Sequence, residues 1–367
     1  MAKKFFEYFP PPVFLQMPYA GLHLSPHTLR LIEFKKGKKT LEVGSFSQKQ
    51  LDYFNAEAPL AENKQLVEIL RQLKKENKLK FVKTALPDEK SYVFTTEIPN
   101  TTDKEIRTFI EFHLEENVPL SLEEAIFDYH LLEPKLSEGA PESESKREAI
   151  VSVLPRETIN QYVELLKKAD LMPLSFSIEA QAIARAVIKN GDAGTYLVIN
   201  IDDTKTGFSV VSNERVQFNS SLAVGSDNFT QAIAKQFKVD VSEAEKIKKQ
   251  KGFIKTEENT DVFFALVNVA SVLKDEIERI FSYWHTHTER GQVLERQKIQ
   301  KVYLLGREAS IIGFKEYLAE TVRMEVEIAN VWSNAFSFDQ YIPPVEAADA
   351  LNFGAAIGLA LPTKPIS

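Results

Sequence analysis

Residues able to do chemistry are few in this sequence, and their spacing argues against most enzyme classes. His285-Thr286-His287 sets two imidazoles one residue apart, the makings of a metal pair. On a helix, positions i and i+2 diverge, so both rings would not face one ion; a solvated helix end is the expected role. Glu123-Glu124 with Asp128 offers carboxylates for general acid–base work. Nothing around them suggests a substrate pocket, so a solvated strand edge is expected. No Gly-x-Ser-x-Gly, Walker or dinucleotide-binding fingerprint occurs. The absence of cysteine excludes disulfides, thiol catalysis and cysteine zinc sites, and it fits a reducing compartment.

Composition narrows the field further. Apolar residues make up 44% and charged residues 26%, an ordinary globular balance, and 367 residues exceed one typical core, so two or more lobes are expected. The net charge of -7 repels polyphosphate backbones, which argues against general nucleic-acid binding. Lys35, Lys36, Lys38 and Lys39 form a short basic run that reads as a solvated turn. No apolar run approaches bilayer length. Lys3 and Lys4 precede Phe5, Phe6, Tyr8 and Phe9, and then Pro10–Pro12 stop any helix. That patch is too short for a secretory signal, so membrane contact is expected only through partners. Residues 1–18 read as an extended arm.

The elements that would position these side chains come in a repeated string. Gly21–Leu24, Leu29–Phe34 and Leu41–Phe46 read as three strands, followed by a helix through Leu66, Ile69, Leu70 and Leu73. Tyr196–Ile201, Phe208–Val211 and Val216–Ser220 repeat the pattern, followed by a helix through Phe229, Ile233 and Phe237. Gly21–Ser25 aligns with Val198–Asp202, which suggests an internal duplication. Between the copies, Thr102-Asp103-Lys104-Glu105 is a capping box opening a helix through Leu114. Strands at Ala125–Leu132 and Ala149–Leu154 flank Pro134–Arg147, a Glu-, Ser- and Pro-rich exposed loop. A helix at Glu157–Ala169 and a strand at Leu174–Ile178 complete what reads as a small inserted α/β subdomain. The last third holds a long helix through Phe264, Val267, Leu273, Ile277 and Ile280, a strand at Val302–Leu305, a helix near Phe314–Val322 and a strand at Val326–Ile328. A final helix over Val345–Leu361 places Gly354 and Gly358 on one face for close packing.

Several of these pieces together resemble the PilM family of actin-like proteins, related to the division protein FtsA. The residues are Pro119, Glu123, Glu124, Asp128 and Tyr129 within Ile106–Leu132, the LAVGSDNF turn at Leu222–Phe229, and the Glu243-Ala244-Glu245 helix. Leu305–Leu318, VEIANVW at Val326–Trp332 and the ending AAIGLAL at Ala355–Leu361 complete the set. The resemblance spans Gly21 to Leu361. It implies an α/β fold of actin-like, ribonuclease H-like duplicated type: two lobes around a nucleotide cleft, with an inserted subdomain. The implied division is residues 19–95, 176–194 and 345–361 in the first lobe, 96–175 in the insert and 195–344 in the second lobe.

Actin-like ATPases use three loops to hold ATP and Mg²⁺, two supplying an Asp after a strand and one rich in glycine. By this resemblance the first loop here offers His23 and Ser25, then Pro26; the second offers Asn200, Asp202 and Thr204, with Gly225 at the turn beyond. The third offers Gly306, followed by Arg307 and Glu308. Hard cations want anionic oxygen, so His23 and Asn200 are poor Mg²⁺ partners, although Asp202 or Asp203 is a shifted alternative, with Thr204 and Thr206 offering hydroxyls. Weak nucleotide binding and little hydrolysis are expected. The implied role is a cytoplasmic scaffold of the type IV pilus platform that binds the N-terminal segment of a PilN-like inner-membrane protein, with an Asn-Leu-Leu-Pro-type motif, and links it to the pilus extension machinery. Ile106, Phe109, Ile110 and Phe112 are the expected contact residues. An active actin-like ATPase and an FtsA-like division scaffold are the alternatives; the ending Pro362–Ser367 offers no amphipathic membrane helix for the latter.

Overall fold

Apolar runs broken by short turns fold as a meander at the start of the described chain. The computed structural model describes residues 17–37, 40–51, 59–98, 102–132, 147–289 and 297–362. Strands β1 (Tyr19–Leu24), β2 (Thr28–Lys36) and β3 (Leu41–Gln50) pair antiparallel. The Ser25 N–H donates to Thr28 O at 2.8 Å and closes the first turn. Helix α1 (Lys64–Asn77) follows, capped by Asn63, whose side chain accepts from the Leu66 N–H, and it buries Leu66, Val67, Leu70 and Leu73. Strands β4 (Phe81–Leu86) and β8 (Met172–Ile178) add in parallel, giving the order β3-β2-β1-β4-β8.

The second sheet repeats this order. Strands β9 (Thr195–Ile201), β10 (Thr206–Ser212) and β11 (Arg215–Leu222) form the meander, and β12 (Lys301–Gly306) and β13 (Val326–Ile328) add in parallel. The order is β11-β10-β9-β12-β13. Equal order and equal strand directions in two halves are what a duplicated unit produces. A two-lobed actin-like fold results.

Between β4 and β8 the chain forms a third, antiparallel sheet from β5 (Tyr92–Ile98), β6 (Ala125–Leu131) and β7 (Arg147–Pro155), ordered β5-β7-β6. Helix α2 (Asp103–Asn117) starts where the Glu105 carboxylate accepts from the Thr102 N–H and hydroxyl. It buries Ile106, Ile110 and Leu114 in a core separate from that of the lobes. Two expectations change here. The strand read as the insert's last element is β8, the edge of the first sheet. Helix α3 (Arg156–Lys168) also sends Tyr162, Leu165 and Leu166 into the main core. Strand order follows pairing rather than sequence, so an insertion inside the β4–β8 crossover reads as one continuous string. Residues 133–146, nearly all of the expected acidic loop, and the arm up to residue 16 lie outside the described residues.

The remaining helices are α4 (Glu179–Val187), α5 (Ser226–Phe237), α6 (Val241–Lys251), the long α7 (Thr260–Glu289) and α8 (Phe314–Val322). Along α7, Leu273, Ile277 and Ile280 are buried while Phe264 is exposed. The single helix expected over 345–361 is instead α9 (Ala347–Ala350), a 3-10 turn at Leu351–Phe353, and α10 (Gly354–Ala360). Helix α10 wedges between β1 and α4. A Cβ on Gly358 would lie 1.7 Å from the Ala182 carbonyl oxygen, and one on Gly21 would lie 2.0 Å from that of Ala356. Only bare backbone allows that approach.

Candidate functional site

The carboxyl ends of β1 and β9 meet across the interlobe cleft, the place where open parallel sheets commonly bind ligands. His23 and Asn200 occupy equivalent positions, one residue before the end of each strand. Both reach the same carboxylate. Glu179, first residue of α4, lies 3.3 Å from His23 Nε2, and its Oε1 accepts from Asn200 Nδ2 at 3.2 Å. Lys205, in the turn after β9, pairs with Glu179 at 3.0 Å and with Glu89 at 2.6 Å.

Beside this cluster, Arg30 of β2 crosses from the first lobe to Asp202 (3.3 Å) and Asp203 (3.9 Å) of the second. The Thr28 hydroxyl donates to Asp203 at 3.3 Å. Arg307 then holds the other Asp203 oxygen at 2.7 Å and Glu245 of α6 at 3.4 Å. Deeper in the second lobe, the buried Lys248 ammonium pairs with Glu308 and Glu245, both at 2.8 Å, and donates to the Ser226 and Thr230 hydroxyls. The cations of this network stand against carboxylates contributed by both lobes.

Burial and pairing split the carboxylates into two kinds. Asp88, in the 3-10 turn after β4, is pushed up to about 8, first by burial and then by the neighbouring Glu179 charge. It therefore holds a proton at neutral pH while its Oδ1 accepts from the Ala180 N–H at 2.9 Å. Burial acts in the same direction on Glu179, but Lys205 and His23 overcome it and hold Glu179 well below the usual carboxylate range. Lys205 is raised in return; its own burial is outweighed by Glu179 and Glu89. Burial would also raise Asp202 and Glu245, but Arg30 lowers the first, and Lys248 brings the second down to about 2. At Glu308 burial wins and the shift is upward.

Other residues expected around a nucleotide serve the fold. Ser25 Oγ bonds Thr28 Oγ1 at 2.8 Å within its own turn. Thr206 donates to Val224 O at 2.6 Å. The first amides of α5, a natural anion site, are already used: Ser226 N–H donates to Asp202 O and Asp227 N–H to Asp203 O, both at 2.9 Å. Gly225 permits this approach, since a Cβ there would lie 2.5 Å from Asp203 O. Gly306 has φ 91°, and a Cβ there would lie 2.2 Å from Ile201 O, so it packs β12 against β9. Thr204 is half-buried in the turn between β9 and β10.

Mg²⁺ with a nucleoside triphosphate does not fit this arrangement. His23, Glu179 and Asp202 do bring three ligand atoms within 4.8 Å of one another. Yet Lys205 and Arg30 already neutralise the two carboxylates, and a further cation would compete with both. Among the described residues, His23 Nδ1 and Asp202 Oδ2 have no hydrogen-bond partner. A triphosphate would also face Asp202, Asp203 and Glu179 at close range.

Sequence spacing missed Arg30, Glu179, Lys205, Asp88 and Lys248. A usable trace existed for two of them: Arg30 interrupts an apolar strand and Glu179 opens an alanine-rich helix, and a charge amid apolar neighbours must find a buried partner. The expected peptide contacts divide. Ile106 and Ile110 are 1% and 0% exposed and serve as core of the small subdomain, a correction to their expected role. Phe109 is half-buried against the His113 ring at 4.4 Å between centroids, and Phe112 is 78% exposed. His285 is exposed near the end of α7, Asp128 is exposed on β6, and Glu123 and Glu124 are exposed just before that strand.

Comparison with known proteins assigns the chain. The sequence model of the family described as "Type IV pilus assembly protein PilM" matches residues 21–364. Among solved structures, one described as "PilM-PilN type IV pilus biogenesis complex" is similar at TM-score 0.73 and 20% identity, covering 94% of this chain and 98% of that one. The ethanolamine utilization protein EutJ from Carboxydothermus hydrogenoformans is similar at TM-score 0.53 and 14% identity, covering 96% of this chain and 90% of that one. No curated protein matches the sequence.

Proposed function

From the membership of this chain in the type IV pilus assembly protein PilM family, we propose that it is a scaffold of the pilus platform whose interlobe cleft works as an ionic joint rather than an ATPase site. The observation that carries this reading is the cleft itself. Arg30, Lys205 and Arg307 take the carboxylates that a metal–nucleotide complex would need, and the α5 amides are committed to backbone. A joint of this kind fixes the angle between lobes without turnover and gives a partner a constant surface.

The partner in this proposal is the cytoplasmic N-terminal segment of a PilN-like inner-membrane protein, which would bring the chain to the cytoplasmic face of the membrane and connect it with the extension ATPase. Its docking place is the small subdomain. Phe112 is the aromatic side chain that α2 presents outward, and an exposed aromatic of that size suits an apolar peptide side chain. Fluorescence titration of a labelled PilN-like N-terminal peptide tests the reading. Saturable binding is expected, with Phe112→Ser weakening it about tenfold or more while the melting temperature stays put. No saturable binding at high micromolar protein overturns it.

A further inference from the structure

We infer that the segment docking at Phe112 is cationic, with lysine or arginine side chains beside its apolar anchor that pair with carboxylates at the C-terminal end of α2. The inference rests on the scaffold reading above and adds the chemistry of the segment. Acidic charge is concentrated around this exposed aromatic. Residues 102–124 hold seven carboxylates against Lys104 and Arg107, a net of -5 in a protein whose total is -7. Phe112 is 78% exposed and Leu122 41%. Glu115 and Glu116, three and four residues after Phe112, share its side of the helix. The Glu115 carboxylate accepts from the Leu122 N–H at 3.1 Å, which ties the following turn, with Leu122, Glu123 and Glu124, to that side.

The cations nearby are committed elsewhere. Arg107 is taken by Glu111 at 3.2 Å and lies over the Phe127 ring. Arg156 donates to the backbone carbonyls of Glu123 and Ala125. Glu116 meets His113 Nδ1 at 2.8 Å, and Glu124 accepts from the Ser121 N–H and hydroxyl. Among the described residues, no lysine or arginine pairs with Glu115, Glu116, Glu123 or Glu124. A helix C-terminus carries partial negative charge and favours cations in its last turn, yet α2 has none there and ends in Glu115-Glu116-Asn117. The free protein thus gathers like charges where they are disfavoured, around an aromatic left in water. Both penalties are relieved together when a segment brings an apolar side chain to Phe112 and cations to the carboxylates. The proposed partner supplies that chemistry, because the cytoplasmic flanks of inner-membrane helices are enriched in lysine and arginine. An anionic leaflet repels an acidic patch, so the peptide and not the lipid is the occupant.

The test is fluorescence titration of the full-length protein with labelled PilN-like peptides that share one apolar core and differ in its flanks: lysine and arginine, serine, or glutamate. The cationic peptide should bind tightest and the glutamate peptide weakest. The spread should collapse between about 0.01 M and about 1 M salt, as the screening length shrinks from about 30 to about 3 Å. Glu115→Gln with Glu116→Gln and Glu123→Gln keeps an acceptor oxygen at each position and removes the charge. This variant should bind the cationic peptide about tenfold more weakly at low salt, roughly twofold for each exposed ion pair lost. Its melting temperature should hold or rise, since the repulsion at the end of α2 is gone. Glu115→Lys with Glu123→Lys should reverse the order and favour the glutamate peptide; the glutamine variant serves if that protein does not fold. Equal binding of all the peptides, or an order among them that the glutamine variant leaves unchanged, overturns the inference while the scaffold reading stands. A glutamine variant that melts lower and binds every peptide more weakly by the same factor shows a structural role and also overturns it. Saturable binding of none of the peptides overturns the scaffold reading, and this inference with it.

Discussion

Replacing Asp88 with Asn should flatten part of the pH dependence of stability, by an amount the cleft geometry sets. Asp88 is 6% exposed, and its carboxyl is displaced from 3.8 to about 8 by burial and by Glu179. A raised carboxyl pKa means that the folded chain keeps a proton the unfolded chain releases. The associated stability is therefore complete below pH 3.8 and is lost as pH rises through about 8. One bound proton corresponds to about 1.4 kcal/mol per pH unit, so roughly four units amount to at most about 6 kcal/mol. Asn retains the oxygen that accepts from the Ala180 N–H and cannot ionise. Near pH 4 the variant and parent should match within about 1 kcal/mol, and the variant should gain steadily to several kcal/mol by pH 9. Urea unfolding of both proteins at four pH values between 4.5 and 9 measures this. The contributions of Glu179, Lys205 and the exposed groups largely cancel in the difference. A stability difference that stays constant over this range, or that shrinks as pH rises, would refute the assignment of the proton to Asp88.

Arg30→Met removes the cation paired with Asp202 and should cost about 3–5 kcal/mol by urea unfolding. Adding Asp202→Asn should recover part of that loss, and no recovery would show that packing, not charge, was lost. Gly358→Ala places a methyl group against the Ala182 carbonyl and should lower stability toward or beyond the top of about 1–3 kcal/mol; an unchanged urea midpoint would contradict the wedge. Millimolar ATP with Mg²⁺ should leave the melting temperature in place, whereas a ligand present at a hundred times its Kd would add about 2.7 kcal/mol and raise it visibly.

Local pattern alone determined much of this protein. The two meanders were legible because period-2 apolar runs and their turns are encoded within a few residues, and the duplication followed from their order. The capping box at Thr102–Glu105 and the packing use of Gly354 and Gly358 were equally local. The first and second loop positions at His23 and Asn200 came from the family resemblance, and both lie near strand ends. Their meaning was decided elsewhere. Glu179 lies 156 residues from His23 and 21 from Asn200, yet it bonds both, and Arg30 meets Asp202 from 172 residues away. Partners this distant in sequence leave no periodicity to read. The same reason hid the place of β8, whose pairing with β4 crosses the entire insertion. It also hid the fate of Ile106 and Ile110, because a helix with apolar residues on several sides does not reveal which side its own sheet will cover. Sequence set the elements and the residues at their ends; the long-range approach of two lobes decided which of those charges would be buried, and only burial with a partner turned them into a joint.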